Sequence, residues 1–229
     1  ADELTALAPR RSRRVESAAP ADASGLADLL ALIKQHDAAG YLQAMQQRLA
    51  RQGLQRFVQD TVAPLTRQVG EAWEDGSFEV FEEHLFTELT KRLLRQTIAA
   101  LPSGPRGPRV LLTSVPDEPH ILGLLMVEAL LALEGAECIP LGTQMPLLEI
   151  GRAAAAHRAD IVGLSFSIAF PQRQIPGLLQ QLRQILPTTV ELWAGGGGIQ
   201  RRPQMQGVLT LDTFDAAITA LADWRANHS

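Results

Sequence analysis

The chain has 229 residues, 46% of them hydrophobic and 20% charged, with a formal net charge of −4. This suits one large domain or two ordinary ones with buried cores, and it excludes a disordered charged chain or a wholly basic nucleic-acid binder. No apolar run approaches the ~20 residues of a membrane span, the start lacks a signal-peptide core, and a single cysteine, Cys138, excludes a disulfide scaffold or a multi-cysteine metal site.

Residues 1–24 read as a linker. Arg10, Arg11, Arg13 and Arg14 form a basic run, followed by a stretch rich in Ala, Ser and Pro. The run is either a nucleic-acid contact or a solvated tether, and the absence of an adjoining basic fold favours the tether. The chain opens at Ala1 without a methionine, which points to a further segment upstream.

Residues 25–101 are patterned as helices. Leu26, Leu29, Leu30 and Ile33 fall on one face of the first. Asp37 is placed to cap a second, with Leu42, Met45 and Leu49 on its inner face. Leu54, Val58, Val62, Leu65, Val69 and Trp73 make a third stripe, within which Pro64 should kink the helix or start a new segment. Asp75-Gly76 stops it, Ser77 is the expected cap of the next, and Phe81, Leu85, Leu89 and Leu93 are the expected core positions of that last helix. The expectation is a four-helix bundle. Residues 102–108, with Pro102, Gly104, Pro105, Gly107 and Pro108, read as a hinge.

Residues 109–229 alternate strand and helix. Strands are expected at Val110–Leu112, Cys138–Leu141, Ile161–Leu164, Val190–Ala194 and Val208–Leu211. Helices are expected at His120–Leu133, Pro146–His157, Ile175–Leu186 and Thr213–Trp224. The fold class is therefore α/β with an all-α domain: a bundle, then a five-stranded parallel sheet covered by helices on both faces. Such sheets bind ligands at the carboxyl ends of their strands.

Three segments fall at that edge: Glu118-Pro119-His120-Ile121-Leu122-Gly123, Ser165-Phe166-Ser167 and Gly195-Gly196-Gly197-Gly198. His120 is either a surface residue or a metal ligand. Glu118, two residues away, favours the ligand, because a metal-bound imidazole commonly gives its other N–H to a carboxylate. The glycines are either a flexible turn or a surface on which a bulky group lies against bare backbone. They form neither a Walker loop nor a complete G-x-G-x-x-G, which ends here in Gln200. Cys138 is expected in the core, and His36, His157 and His228 in solvent. Trp193 packs either in the core or beside a ligand, and Trp224 is expected against the sheet.

E-P-H-I-L-G, 41 residues, S-F-S, 27 residues and G-G resembles the D-x-H-x-x-G … S-x-L … G-G signature of cobalamin-binding, Rossmann-like domains. The resemblance implies His120 as the lower axial ligand of cobalt, Glu118 as its orienting partner, and Ser165 as a contact of the benzimidazole. Gly195 and Gly196 would line the slot of the nucleotide tail, with Gly123 and Ser167 at the remaining signature positions. Glu118 stands where the signature has Asp, and Ser167 where it has Leu.

In the helical half, Trp73 is followed after nine residues by Glu83-His84. This spacing resembles the cap of the CarH/LitR family of MerR-type, light-sensing, cobalamin-dependent transcriptional regulators. The resemblance implies that Trp73, Val80, Glu83 and His84 cover the upper face of adenosylcobalamin. It also implies DNA binding through a missing N-terminal domain, light-dependent change of a homo-oligomer, and no enzymatic activity. Without it, Trp73 reads as core and Glu83-His84 as a solvated face. Some relatives carry a His directly after the Trp; Glu74 stands there in this chain, which removes a bis-His photoproduct through that position. A corrinoid carrier for methyl transfer and a cofactor-free interaction module are the competing readings, and a cytoplasmic protein is expected in each.

Overall fold

The structure is a computed structural model, and it describes residues 23–102, 107–199 and 205–228. The expected linker with its arginine run, and the middle of the expected hinge, lie outside the described residues.

The bundle is built from α1 (Ala23–Lys34), α2 (Ala38–Gln52), a rod of α3 (Leu54–Arg56), a π-helical stretch (Phe57–Val62) and α4 (Ala63–Glu74), and α5 (Val80–Ala99). Asp37 caps α2 as expected, its side chain accepting from the Gly40 N–H at 2.8 Å. The π stretch lies just before Pro64. Proline has no N–H to give to the preceding turn and its ring crowds that turn's carbonyl. Widening the turn, so that Ala63 N–H donates to the Val58 carbonyl, carries the helix past the proline unbroken. Leu54, Val58, Val62, Leu65 and Val69 are all buried along this rod.

Two expectations fail at the corner between α4 and α5. Ser77 is not the cap. Asp75 accepts from the Ser77 N–H, the Ser77 hydroxyl bonds the Ala72 carbonyl, and α5 starts later, with Glu79 and Glu82 forming a reciprocal capping box. Phe81 is not core either: it is 58% exposed, and the inner face runs through Glu82, Phe86, Leu89, Thr90 and Leu93. With the helix starting at Val80, Glu83 lies in the first turn of α5.

The second half comprises β1 (Arg109–Thr113), α6 (Leu122–Leu133), β2 (Glu137–Gly142), α7 (Leu147–Ala156), β3 (Ile161–Ser165), α8 (Ile175–Ile185), β4 (Glu191–Gly195), β5 (Leu209–Leu211) and α9 (Phe214–Asn227). All neighbouring strands are parallel, in the order β2-β1-β3-β4-β5. Helices α6 and α9 pack together, as do α7 and α8, and the two pairs line separate cores. Trp193 is core, 2% exposed, with its indole N–H on Glu191. Burial pushes the thiol of Cys138, itself packed against that core, up to about 12.

Helix α6, LGLLMVEALLAL, is apolar all round but for Glu128 and is buried on both sides. Leu124 and Leu131 face the sheet, while Leu122, Leu125, Met126, Ala129 and Leu130 join the core of the bundle. Each fully buried leucine contributes about 1.5–3 kcal/mol. Gln59 in the π stretch adds a 2.7 Å bond to Asp215 of α9. The bundle therefore sits on α6, beside the carboxyl ends of the strands.

Candidate functional site

In this strand order the chain leaves β1 toward β2 and leaves β3 toward β4, so the connections diverge and open a crevice between the ends of β1 and β3. Two of the three segments singled out from the sequence, Glu118–His120 and Ser165–Ser167, lie at that opening.

Glu118 ties the crevice together and is 1% exposed. Its Oε1 lies 2.6 Å from His120 Nδ1 and also accepts from the His120 backbone N–H at 3.2 Å. Its Oε2 accepts from the Ser167 N–H at 2.7 Å, across the opening. Burial pushes the Glu118 carboxyl up, but bonds with His120 and Ser167 outweigh it and hold it below the usual range. His120 shifts the other way. Its bond to Glu118 outweighs burial, and the charges of Glu118 and Glu83 add to the rise above 6.5. The ring is 55% exposed. With Nδ1 engaged by a carboxylate, Nε2 is the nitrogen left to bind a ligand.

Close backbone packing sets the walls. A Cβ on Gly123 would lie 2.7 Å from Ser165 Oγ, so a bare first turn of α6 lets the two connections meet. Gly196, at φ +97°, would place a Cβ 2.3 Å from the Phe166 carbonyl oxygen. Phe166 N–H donates to the Gly195 carbonyl and Gly198 N–H to the Phe166 carbonyl, so the glycine run is a tight seam against the β3 loop, not a loose turn. Ser167 Oγ is buried with no hydrogen-bond partner among the described residues.

The structure also brings in a residue that sequence reasoning missed. Ser114, fully buried, donates to the Glu118 carbonyl at 2.5 Å and accepts from the Gln144 N–H at 2.9 Å. It fixes the Glu118 loop to the end of β2. Its only signal is a short hydroxyl directly after a strand.

On the bundle side, Glu83, His84 and Val80 are joined: His84 Nδ1 is 2.9 Å from both the Val80 carbonyl and Glu83 Oε2, and Glu83 Oε1 accepts from Thr87. Trp73 is 52% exposed and Val80 60% exposed, on the two sides of the α4–α5 corner. No hydrogen bond or ring contact joins Trp73 to Glu83 or His84 among the described residues. The influence of Glu83 on His120 links this corner to the crevice. Lys34, also missed from the sequence, braces the corner from α1. Its ammonium bonds the Ser77 carbonyl at 2.5 Å and Glu82 at 2.9 Å and lies over the Phe78 ring. His36, expected in solvent, is exposed yet set edge-on to Phe81 at 5.3 Å.

No group of His, Cys, Asp and Glu among the described residues could hold a bare metal ion. A protein-held ion needs three or four such ligands. One imidazole, steered by a buried carboxylate and facing a bare-backbone seam, fits a metal that arrives already enclosed in a macrocycle and needs one axial donor. No described helix is long and apolar enough to cross a membrane.

Comparisons with known proteins agree with that chemistry. Residues 26–97 and 108–220 match two family models, each described as a B12 binding domain. The chain is 33% identical over 155 residues, 68% of its length, to the HTH-type transcriptional repressor CarH of Myxococcus xanthus, and it spans about half (52%) of that protein. Among solved structures, the monomethylamine corrinoid protein of Methanosarcina barkeri matches with a TM-score of 0.69 at 18% identity, covering 89% of this chain and 100% of that one. At that identity the likeness is one of fold.

Proposed function

Because both halves of the chain belong to the B12-binding family and together form a CarH-like cobalamin-binding region, we propose that it is the sensory part of a light-responsive transcriptional regulator that uses adenosylcobalamin. The observation that carries this reading is the pairing of His120 Nδ1 with buried Glu118, which leaves Nε2 as a single directed donor at the crevice. His120 would hold the cobalt through Nε2, and Glu118 would keep its ring oriented. Gly123, Ser165, Ser167, Gly195 and Gly196 line the slot of the nucleotide tail, with the buried Ser167 side chain beside Glu118.

Bound adenosylcobalamin supplies a cobalt–carbon bond that light can break. Trp73 offers a ring for stacking and Glu83 a carboxylate for ribose hydroxyls, with Val80 and His84 beside them. Without an adenosyl group Trp73 and Glu83 would have no partner there. The bundle then shifts against the sheet domain, because only one arrangement is favoured by the intact ligand. Self-association changes with it, and so does the DNA affinity conferred by a further domain. A carrier for methyl transfer needs the upper face clear. The bearing of Glu83 on His120 supports a bundle that lies across it.

The test is the purified chain mixed with adenosylcobalamin in the dark and then illuminated, followed by absorption and size-exclusion elution. The expected result is a His-ligated spectrum in the dark and a change of elution volume after photolysis. Absence of binding overturns the cofactor reading. Binding with confirmed photolysis and identical elution at all protein concentrations overturns the light-sensing one.

A further inference from the structure

Glu128 is the one ionisable side chain in the otherwise apolar α6, and it is 8% exposed. Leucine at this position would complete an apolar helix without the penalty of burying an acid. The Glu128 carboxyl oxygens accept no hydrogen bond from the described residues. Glu128 lines a cavity of about 150 Å³ between α5, α6 and the ends of β1 and β2. Arg95, from α5, lines the same cavity and makes no hydrogen bond or ion pair among the described residues. The other walls are apolar: Leu112, Ile121, Leu124 and Pro140. Burial pushes the Glu128 carboxyl above its usual range, and the Arg95 charge offsets only part of that rise.

An acid and a guanidinium on facing helices, in an otherwise greasy slot, complement one chemical group closely. A primary amide gives its N–H to the carboxyl and takes a bond on its C=O from the guanidinium. The space holds roughly five water-sized groups at ~30 Å³ each, enough for two methylenes and an amide. The cavity begins at Ile121, the residue next to His120. A corrin ring is rimmed by primary amides on short alkyl arms. We propose that this cavity is a subsite for one propionamide arm of the corrinoid, held between Glu128 and Arg95. The inference rests on the reading of His120 as the cobalt ligand.

The experiment uses cobalamin and its isomeric monocarboxylic acids, in each of which one propionamide is hydrolysed. Affinities are read by absorption titration of the purified chain. A carboxylate in the slot loses the N–H donor and meets Glu128, so one isomer should bind at least about tenfold more weakly than cobalamin, the others close to it. In Glu128→Gln that discrimination should disappear, because the amide side chain donates to the carboxylate and Arg95 pairs with it. Arg95→Gln, at an exposed position of α5, should widen the penalty for the same isomer, and this arm stands if Glu128→Gln fails to fold. The proposal is overturned if no isomer is singled out, or if the same isomer is disfavoured equally in both variants and the wild type. Failure of cobalamin itself to bind overturns the cofactor reading and the subsite with it.

Discussion

Glu118 Oε2 accepts the backbone N–H of Ser167 at 2.7 Å, joining two loops 49 residues apart across the mouth of the crevice. The same carboxylate steers His120, so the orientation of the imidazole and the spacing of the crevice walls are set by one side chain. Neutral Glu118→Gln keeps the length, but its amide has one accepting oxygen, so it can keep either the link to His120 or the link to Ser167 and loses the other. It should lower cobalamin affinity by about tenfold to a hundredfold, less than His120→Ala, which should also shift the bound spectrum away from a nitrogen-ligated form. Equal spectra for His120→Ala and wild type would remove His120 from cobalt.

The pH dependence follows from the raised pKa of His120. Cobalt needs the Nε2 lone pair, and a proton competes for it. With a pKa above 6.5 the imidazolium persists to higher pH than in an ordinary histidine. Affinity through His120 is therefore full above the raised value and falls as pH drops through it, by up to about tenfold per pH unit. Glu118, held below its usual range, stays ionised across this window. Titrations from about pH 8 to 5 should show the fall beginning above 6.5; a flat profile would mean that His120 does not bind the metal.

Gly196→Ala tests the seam. The new Cβ would meet the Phe166 carbonyl at 2.3 Å and hold a left-handed φ. That backbone is pinned by two bonds to the glycine run, so it cannot yield cheaply. The expected loss is at least ~2 kcal/mol by urea denaturation. Gly70→Ala in α4, with open space around it, should instead stabilise by about 0.5–1 kcal/mol.

Lys34→Met tests the brace of the α4–α5 corner. It removes the bonds to Ser77 and Glu82 while keeping the alkyl stem. The preference for adenosylcobalamin over methylcobalamin should fall, while affinity for hydroxocobalamin stays unchanged, and Lys34→Arg should restore most of the preference. Loss of all three affinities together would assign Lys34 a merely structural part.

The strands, α6 and the crevice residues were legible because short apolar runs and long apolar helices mark themselves by period, and because Glu118 lies two residues from His120. The corner was not. Ser77 has the chemistry of a cap, but Asp75 takes its N–H first, and the true box is made by Glu79 and Glu82, which look like a solvated charge run. Phe81 keeps the four-residue spacing of Leu85, Leu89 and Leu93, but it lies in the first turn of α5 and is exposed there, a matter of tertiary packing that the period does not report. Lys34 reaches partners 43 and 48 residues away, a distance no local pattern reports. Glu128 sits inside a leucine-rich run, where one acid gives no signal of the cavity beside it.

Helix α6 contributes residues to the cores on both of its sides. A chain cut between the halves would therefore leave neither piece whole. The bundle alone would lose Leu122, Leu125, Met126, Ala129 and Leu130, and the sheet domain alone would present that same greasy stripe to water, an invitation to aggregate. The two halves should melt in one cooperative transition.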